Sequence, residues 1–251
     1  MSAQTHEYMA LRGTLHGVGL GPGDPELVTV KAARLIGEAR VVAYFAKAGR
    51  ASHARAIAAR YLRPDCEEMP LLYPVTTEIP FGEPSYNAAL SAFYSQSAER
   101  IGAHLENGCD VMLLCEGDPL LYGSFMHMFT RLEQRFPIEI CAGVSGMSGC
   151  FAAARQPMTW GDDVLTVLPA TLDEETLAHR LASTDAAVIM KLGGNFPKLR
   201  RAMARAGLDH GAIYVERGTM RGEKIMPFSE KEDDVAPYFS MVLSPGKGRR
   251  P

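Results

Sequence analysis

Apolar residues follow two rhythms along the chain. Short continuous runs, in ARVVAYFA (39–46), CDVMLLC (109–115) and AAVIMKLG (186–193), are bounded by charged, glycine or proline residues and predict strands buried on both faces. Between such runs the apolar positions recur every three or four residues. Val28, Ala32, Leu35 and Ala39 make one such stripe, and Leu90, Phe93, Ile101 and Leu105 another. The second predicts a helix from Ser85 to about Asn107, closed by Gly108. TLHGVGLG reads as the first strand, and Asp24 followed by Pro25 as the N-cap and first-turn proline of the next helix. SHARAIAARYL, SFMHMFTRLEQRF and SGMSGCFAAARQ read as helices, EEMPLLYPV and PIEICAGV as strands. Strand and helix alternate, so the sheet is expected to be mainly parallel.

After Pro157 the alternation restarts with DVLTVLPA, DEETLAHRLAS, AAVIMKLG, FPKLRRAMARAG and AIYVERG. EKIMPFS and YFSMVLSPG then follow with no helix between them and are expected to pair antiparallel. The fold class is therefore α/β, with an N-terminal domain over 1–142 built on a mainly parallel sheet and a C-terminal domain over 143–251 built on a mixed sheet. The acidic run SEKEDD and the basic tail PGKGRRP read as solvated surface.

Three glycine-containing turns follow predicted strands: GLGPGDP, EGDPLLYGS and AGVSGMSG. In an open α/β sheet, ligands collect at turns beyond the carboxyl ends of the strands. The opening stretch GVGLGPGDP (17–25) fails both common phosphate-loop patterns. A dinucleotide fingerprint needs glycine where Pro22 or Asp24 stands, and a mononucleotide loop needs Lys and Ser/Thr where Asp24 and Pro25 follow Gly23. With Asp24 and no basic residue in the loop, a neutral or cationic ligand fits better than an anion. Asp118 before Pro119 again has the form of a helix N-cap. Tyr122 and Tyr86 read as rim residues of the core, although Tyr122 is also a substrate candidate. Lys191, Arg217, Arg221 and Lys224, at or after strand ends, are placed to meet an acidic ligand, whereas KLRRAMAR reads as a solvated helix face.

Composition removes several function classes. The 251 residues carry a net charge of −3, with 47% hydrophobic and 22% charged residues, which gives no global attraction to nucleic acid or anionic membrane. No apolar run reaches the roughly 18–20 residues of a membrane helix, and MSAQTHEYMALRG holds no apolar signal core. A cytoplasmic location is expected. Five scattered cysteines without a C-x-x-C pair read as reduced thiols, and the dispersed histidines give no metal pattern. No G-x-S-x-G elbow is present, which disfavours a serine hydrolase.

Taken together, the quoted turns resemble the tetrapyrrole methylases. GVGLGPGDPELVTVKAARLI is similar to that family's opening loop and helix, EGDPLLYGS to its G-D-P-x-x-Y turn, AGVSGMSG to its P-G-[IV]-[ST] turn, and VIMKL and YVERGT to its later motifs. The resemblance runs from about Leu15 to Ser244. It implies two α/β domains with a cofactor cleft between them, a homodimer, and methyl transfer from S-adenosyl-L-methionine, leaving S-adenosyl-L-homocysteine. No metal, nucleic acid or membrane is implied. The segment IPFGEPSYNAALSAFYSQSAERIGAHLENGCDVMLLCEGDPLLYGS, with Met190-Lys191, is most like the branch that methylates C-20 of precorrin-2 to give precorrin-3A. The alternatives are the cobalt-containing substrate, a modified histidine or RNA ribose acceptor, and a non-catalytic S-adenosylmethionine sensor.

By motif, the resemblance places cofactor contacts at Pro22, Glu116, Gly117, Asp118, Leu121, Ser145, Gly146, Met190, Gly218 and Ser240. Tyr122, Lys191, Arg217 and Arg221 are the substrate-side candidates, and no proton acceptor is identified. Glu116 stands where many members have glycine, and Ala142 where many have proline.

Overall fold

A computed structural model describes residues 12–74 and 84–248. The signal-peptide reading of the first residues, the end of the EEMPLLYPV strand, the start of the IPFGEPSY motif and the last residues of the basic tail lie outside the described residues. The chain divides into two compact units, 1–145 and 146–251.

The first unit orders its strands β3-β2-β4-β1-β5, every pair parallel. These are β1 (Leu15–Gly19), β2 (Val41–Lys47), β3 (Glu67–Tyr73), β4 (Val111–Cys115) and β5 (Ile138–Cys141). Both β1 and β4 are buried at every position, as continuous apolar strands covered on two faces must be. Helices α1 (Val30–Glu38) and α2 (His53–Ala58) cover one face, packing Leu35, Ile36 and Ile57 on Val18, Val42 and Leu114. On the other face α3 (Pro84–Glu106) and α4 (Phe125–Leu132) pack Ile101, Leu105 and Phe125 on Leu15, Ala43 and Leu113. The chain leaves β1 for β2 on one side and leaves β4 for β5 on the other. Its direction therefore reverses between the neighbouring strands β1 and β4, the position where open sheets hold ligands.

The second unit starts with α5 (Gly146–Ala154) and orders its strands β6-β7-β10-β8-β9. They are β6 (Leu165–Pro169), β7 (Ala186–Met190), β8 (Ile213–Glu216), β9 (Lys224–Pro227) and β10 (Ser240–Ser244), with α6 (Glu174–Ala182) and α7 (Phe196–Arg205) on one face. Only β6 and β7 are parallel.

Local outcomes differ from the sequence reading in four places. The expected β9–β10 pair does not form: β10 inserts between β7 and β8, and β9 pairs with β8 alone. Burial explains the exchange, because SMVLS is apolar enough for the centre of a sheet whereas KIMP is mostly exposed and ends in proline, which suits an edge. Asp24 caps only a 3-10 turn over Pro25–Leu27, through its bond from the Glu26 N–H; α1 begins later, capped by Thr29 accepting from Ala32. Asp118 starts no helix, and α4 begins at Phe125.

The fourth difference lies in SEKEDD, which is not wholly solvated. Lys231 is 5% exposed. Its ammonium donates to the Asp233 carboxylate at 2.6 Å and carbonyl at 3.1 Å, and lies 5.4 Å from the centre of the Phe196 ring and 5.2 Å from that of Tyr214. The aromatic faces and the carboxylate together replace the water that a buried cation loses. Lys231→Ala is expected to destabilise the protein by about 2 kcal/mol in urea unfolding through lost packing and cation–π attraction. Lys231→Met should recover most of that loss if the aliphatic stem dominates.

Candidate functional site

In the first unit the three glycine turns are joined to one another. The first and central turns meet in a single antiparallel bridge, with the Gly117 N–H donating to the Gly21 carbonyl at 2.8 Å and the Gly21 N–H to the Gly117 carbonyl at 3.3 Å. The central and third turns are joined by Asp118, whose Oδ2 accepts from the Gly143 N–H at 3.0 Å while Oδ1 accepts from Leu120 at 2.9 Å. Asp118 thus serves as a cross-link between turns rather than a helix cap. Its two oxygens satisfy donors that the strand ends leave unpaired.

The glycines are required by contact as well as by conformation. A Cβ on Gly19 would stand 2.6 Å from the Gly143 nitrogen and 2.8 Å from the Gly117 carbonyl oxygen, and one on Gly143 would overlap the Gly117 oxygen. Gly21 and Gly117 also have φ of 76° and 68°. Three backbone segments therefore touch directly at the reversal between β1 and β4. Pro22, half-buried, and the exposed Glu116 flank this contact, with Leu121 exposed and the half-buried Ser145 further along the central and third turns.

Glu116 has a role beyond its place in the motif. Its carboxylate accepts from the Ala54 N–H at 3.1 Å, in the first turn of α2, so the central turn is tied to the helix that follows β2. Although the residue retains solvent contact, the protein crowded around its carboxyl pushes the pKa up, partly offset by backbone hydrogen bonds. The far end of the central turn is also anchored, where the Ser124 hydroxyl bonds the Tyr73 hydroxyl at 2.5 Å and the Tyr94 hydroxyl at 3.3 Å.

In the second unit the candidates gather on one rim of the sheet. Met190 is buried at the end of β7, Ser240 opens β10 opposite Glu216 at the end of β8, and the Arg217 N–H donates to the Phe239 carbonyl at 2.7 Å. Lys191 and Arg217 therefore flank the start of β10. Arg221 is exposed just beyond, within the loop from β8 to β9. Ser240 is buried with its hydroxyl already donating to the Pro237 carbonyl at 2.6 Å. Gly146 lies against Met241, and Gly218 against Cys150 and Val215, where a Cβ would stand 3.0 Å from the Cys150 sulfur. Burial pushes the Cys150 thiol up to about 12, which makes it a packing group rather than a nucleophile.

Three of the four substrate-side candidates have strained backbone, as does Arg155 outside the candidate set. Tyr122, Lys191 and Arg217 have φ of 55°, 58° and 52°, in the left-handed region that non-glycine residues seldom occupy. Tyr122 is 46% exposed rather than a core-rim residue. Thr219, which the motifs did not single out, joins this group with φ of 66°, and its Oγ1 is buried without a hydrogen-bond partner among the described residues. An orphaned buried hydroxyl is costly unless a ligand completes it. Its residue type and its place after YVERG were visible in the sequence; its lack of a partner was not.

The profile of the tetrapyrrole (corrin/porphyrin) methylases matches residues 14–232. The chain belongs to the tetrapyrrole methylase family. It is 54% identical to a precorrin-2 C(20)-methyltransferase from a Sinorhizobium species, over 95% of this chain and 98% of that one. It is 29% identical to the cobalt-precorrin-2 C(20)-methyltransferase of Salmonella typhimurium, over 93% and 96% respectively. Among solved structures, uroporphyrin-III C-methyltransferase from Thermus thermophilus in complex with S-adenosylhomocysteine shares the fold with a TM-score of 0.64 at 22% identity, over 92% of this chain and 96% of that one.

This family uses S-adenosylmethionine, and two local features fit such a ligand. The joined turns hold none of the basic residues a phosphate cradle needs, and Thr219 offers a buried hydroxyl with no hydrogen-bond partner among the described residues. Among the described residues no cluster of three His, Cys, Asp or Glu is placed to hold a metal ion, and no helix is long and apolar enough to cross a membrane.

Because the Glu116 pKa is raised above its ordinary 4.5, the folded state holds this proton more tightly than the unfolded chain. The group accordingly costs stability as pH rises through that window. Glu116→Gln keeps an acceptor for the Ala54 N–H and removes the charge. Its Tm is expected to equal or exceed that of the wild type at pH 7.5, with the difference vanishing as pH falls toward 4.5, as thermal unfolding across that range would reveal.

Proposed function

We propose that the chain transfers a methyl group from S-adenosylmethionine to C-20 of metal-free precorrin-2, forming precorrin-3A in oxygen-dependent cobalamin biosynthesis. The observation that carries this reading is the 54% identity, along nearly the whole of both chains, to a precorrin-2 C(20)-methyltransferase. The lower 29% identity to the cobalt-substrate enzyme favours the metal-free ring. A cytoplasmic homodimer that needs no metal and engages neither nucleic acid nor membrane completes the proposal.

When bound, S-adenosylmethionine would supply an electrophilic methyl group; the electron-rich meso carbon would form the new C–C bond as the C–S pair stays on sulfur, and the meso-carbon proton would then be lost to water. The residues of this chain then have to bind, align and exclude water rather than provide a nucleophile. In the first unit the proposed cofactor contacts are Pro22, Glu116, Gly117, Asp118, Leu121 and Ser145. In the second they are Gly146, Met190, Gly218 and Ser240, with Thr219 added. Tyr122, Lys191, Arg217 and Arg221 are proposed for the substrate, whose carboxylates call for charge-assisted hydrogen bonds. Left-handed backbone at Tyr122, Lys191 and Arg217 supports this, since such strain is retained where geometry matters to a ligand.

The deciding experiment supplies methyl-labelled S-adenosylmethionine with anaerobic precorrin-2 or its cobalt complex, and locates the label by mass spectrometry and carbon NMR. Label at C-20 of the metal-free product is expected; preference for the cobalt form would move the protein to the oxygen-independent route. Thr219→Val, which removes the orphaned hydroxyl at near-constant volume, is expected to weaken S-adenosylhomocysteine binding in calorimetry by about five- to tenfold. Its Tm should be unchanged or higher. An unchanged affinity would exclude Thr219 from the cofactor contacts.

A further inference from the structure

Beside the joined turns, in the same unit, lies a cavity of about 460 Å³ that the motifs do not touch. Its walls come from the second half of β2, the turn after it, the first turns of α2, and β3. Tyr44, Pro70 and Leu72 give it an apolar floor, while Lys47, Arg50 and Arg55 bring three cations to it. Arg55 is held by Glu68 through two bonds, at 3.0 and 2.8 Å, and the Tyr44 hydroxyl donates to the same carboxylate at 2.9 Å. That carboxylate is thereby consumed within the wall, and its pKa is held down chiefly by the Arg55 guanidinium. The Arg50 guanidinium, in contrast, has no partner among the described residues. Its backbone is fixed by the turn in which its N–H donates to the Lys47 carbonyl at 3.0 Å, with Gly49 at φ 73°.

The position of this cavity is set by the sheet. β2 is the direct neighbour of β4, so its carboxyl end lies one strand spacing, about 5 Å, from the start of the central turn. The Glu116 bond to the Ala54 N–H joins that turn to the helix forming the cavity wall. An apolar floor with a surplus of positive charge suits an aliphatic arm ending in a carboxylate.

We propose that this cavity is a second-rank substrate subsite, in which Arg50 binds an acetate or propionate arm of the tetrapyrrole while the ring lies over the joined turns. The proposal rests on the tetrapyrrole reading above. Arg50 would act as a positioning residue, choosing which edge of the ring faces the cofactor turns, and would take no part in the chemistry.

The test uses the full chain and a stable polycarboxylate ring, uroporphyrin III, titrated by fluorescence quenching, with S-adenosylhomocysteine titrated separately by calorimetry. Arg50→Ala is expected to weaken uroporphyrin binding about tenfold, the loss of one charge-assisted bond, with S-adenosylhomocysteine affinity and Tm unchanged. Arg50→Lys should recover part of it, and with precorrin-2 the change should appear in KM more than in kcat. Uroporphyrin affinity within twofold of wild type in Arg50→Ala, or a parallel fall in S-adenosylhomocysteine affinity, would overturn the subsite. Failure of the wild type to methylate precorrin-2, with Arg50-dependent uroporphyrin binding intact, would instead overturn the choice of substrate and leave the subsite standing.

Discussion

Direct contact between three stretches of backbone, at Gly19, Gly117 and Gly143, is the constraint around which the first unit is arranged. Neighbouring strands already bring β4, β1 and β5 side by side, but ordinary residues at their carboxyl ends would hold the following turns apart by the width of a Cβ. Glycine removes that spacer, and the Gly21–Gly117 bridge then closes between turns that depart to opposite sides of the sheet. The turns thus meet at the point where the topology clears space for a ligand.

The acidic residues of these turns are structural partners of the same arrangement. Asp118 spends both oxygens on backbone N–H groups, one of them in a different turn. Glu116 finds a partner for its carboxylate in an N–H of the first turn of α2. That bond connects the turns to the wall of the basic cavity. A carboxylate in the central turn thus becomes a link between two neighbouring surfaces.

The second unit uses a different economy of contacts. Its central strand, β10, arrives last in sequence and is sandwiched antiparallel between β7 and β8, which brings the ends of β7 and β8 to the beginning of β10. Lys191, Arg217 and Thr219 are held there in left-handed conformations that an isolated chain would avoid. The surrounding ladder overrides their local preference, as tertiary packing does for Lys231, which is drawn from an acidic run onto two aromatic rings.

By itself, the amino-acid sequence determined the succession of strands and helices, because continuous apolar runs and three-to-four spacing report burial on two faces or one without reference to distant residues. It also determined the family, through turns whose glycine, aspartate and proline positions are local and ordered along the chain. Tertiary structure alone decided that Asp118 bridges turns instead of capping a helix, since the Gly143 N–H it meets lies far along the chain. It likewise decided that β10 rather than β9 occupies the sheet interior, and that Arg50 has no partner among the described residues above an apolar floor. Each of these depends on which groups are brought together in space, and strand order and the satisfaction of buried polar groups are settled only when the whole sheet closes.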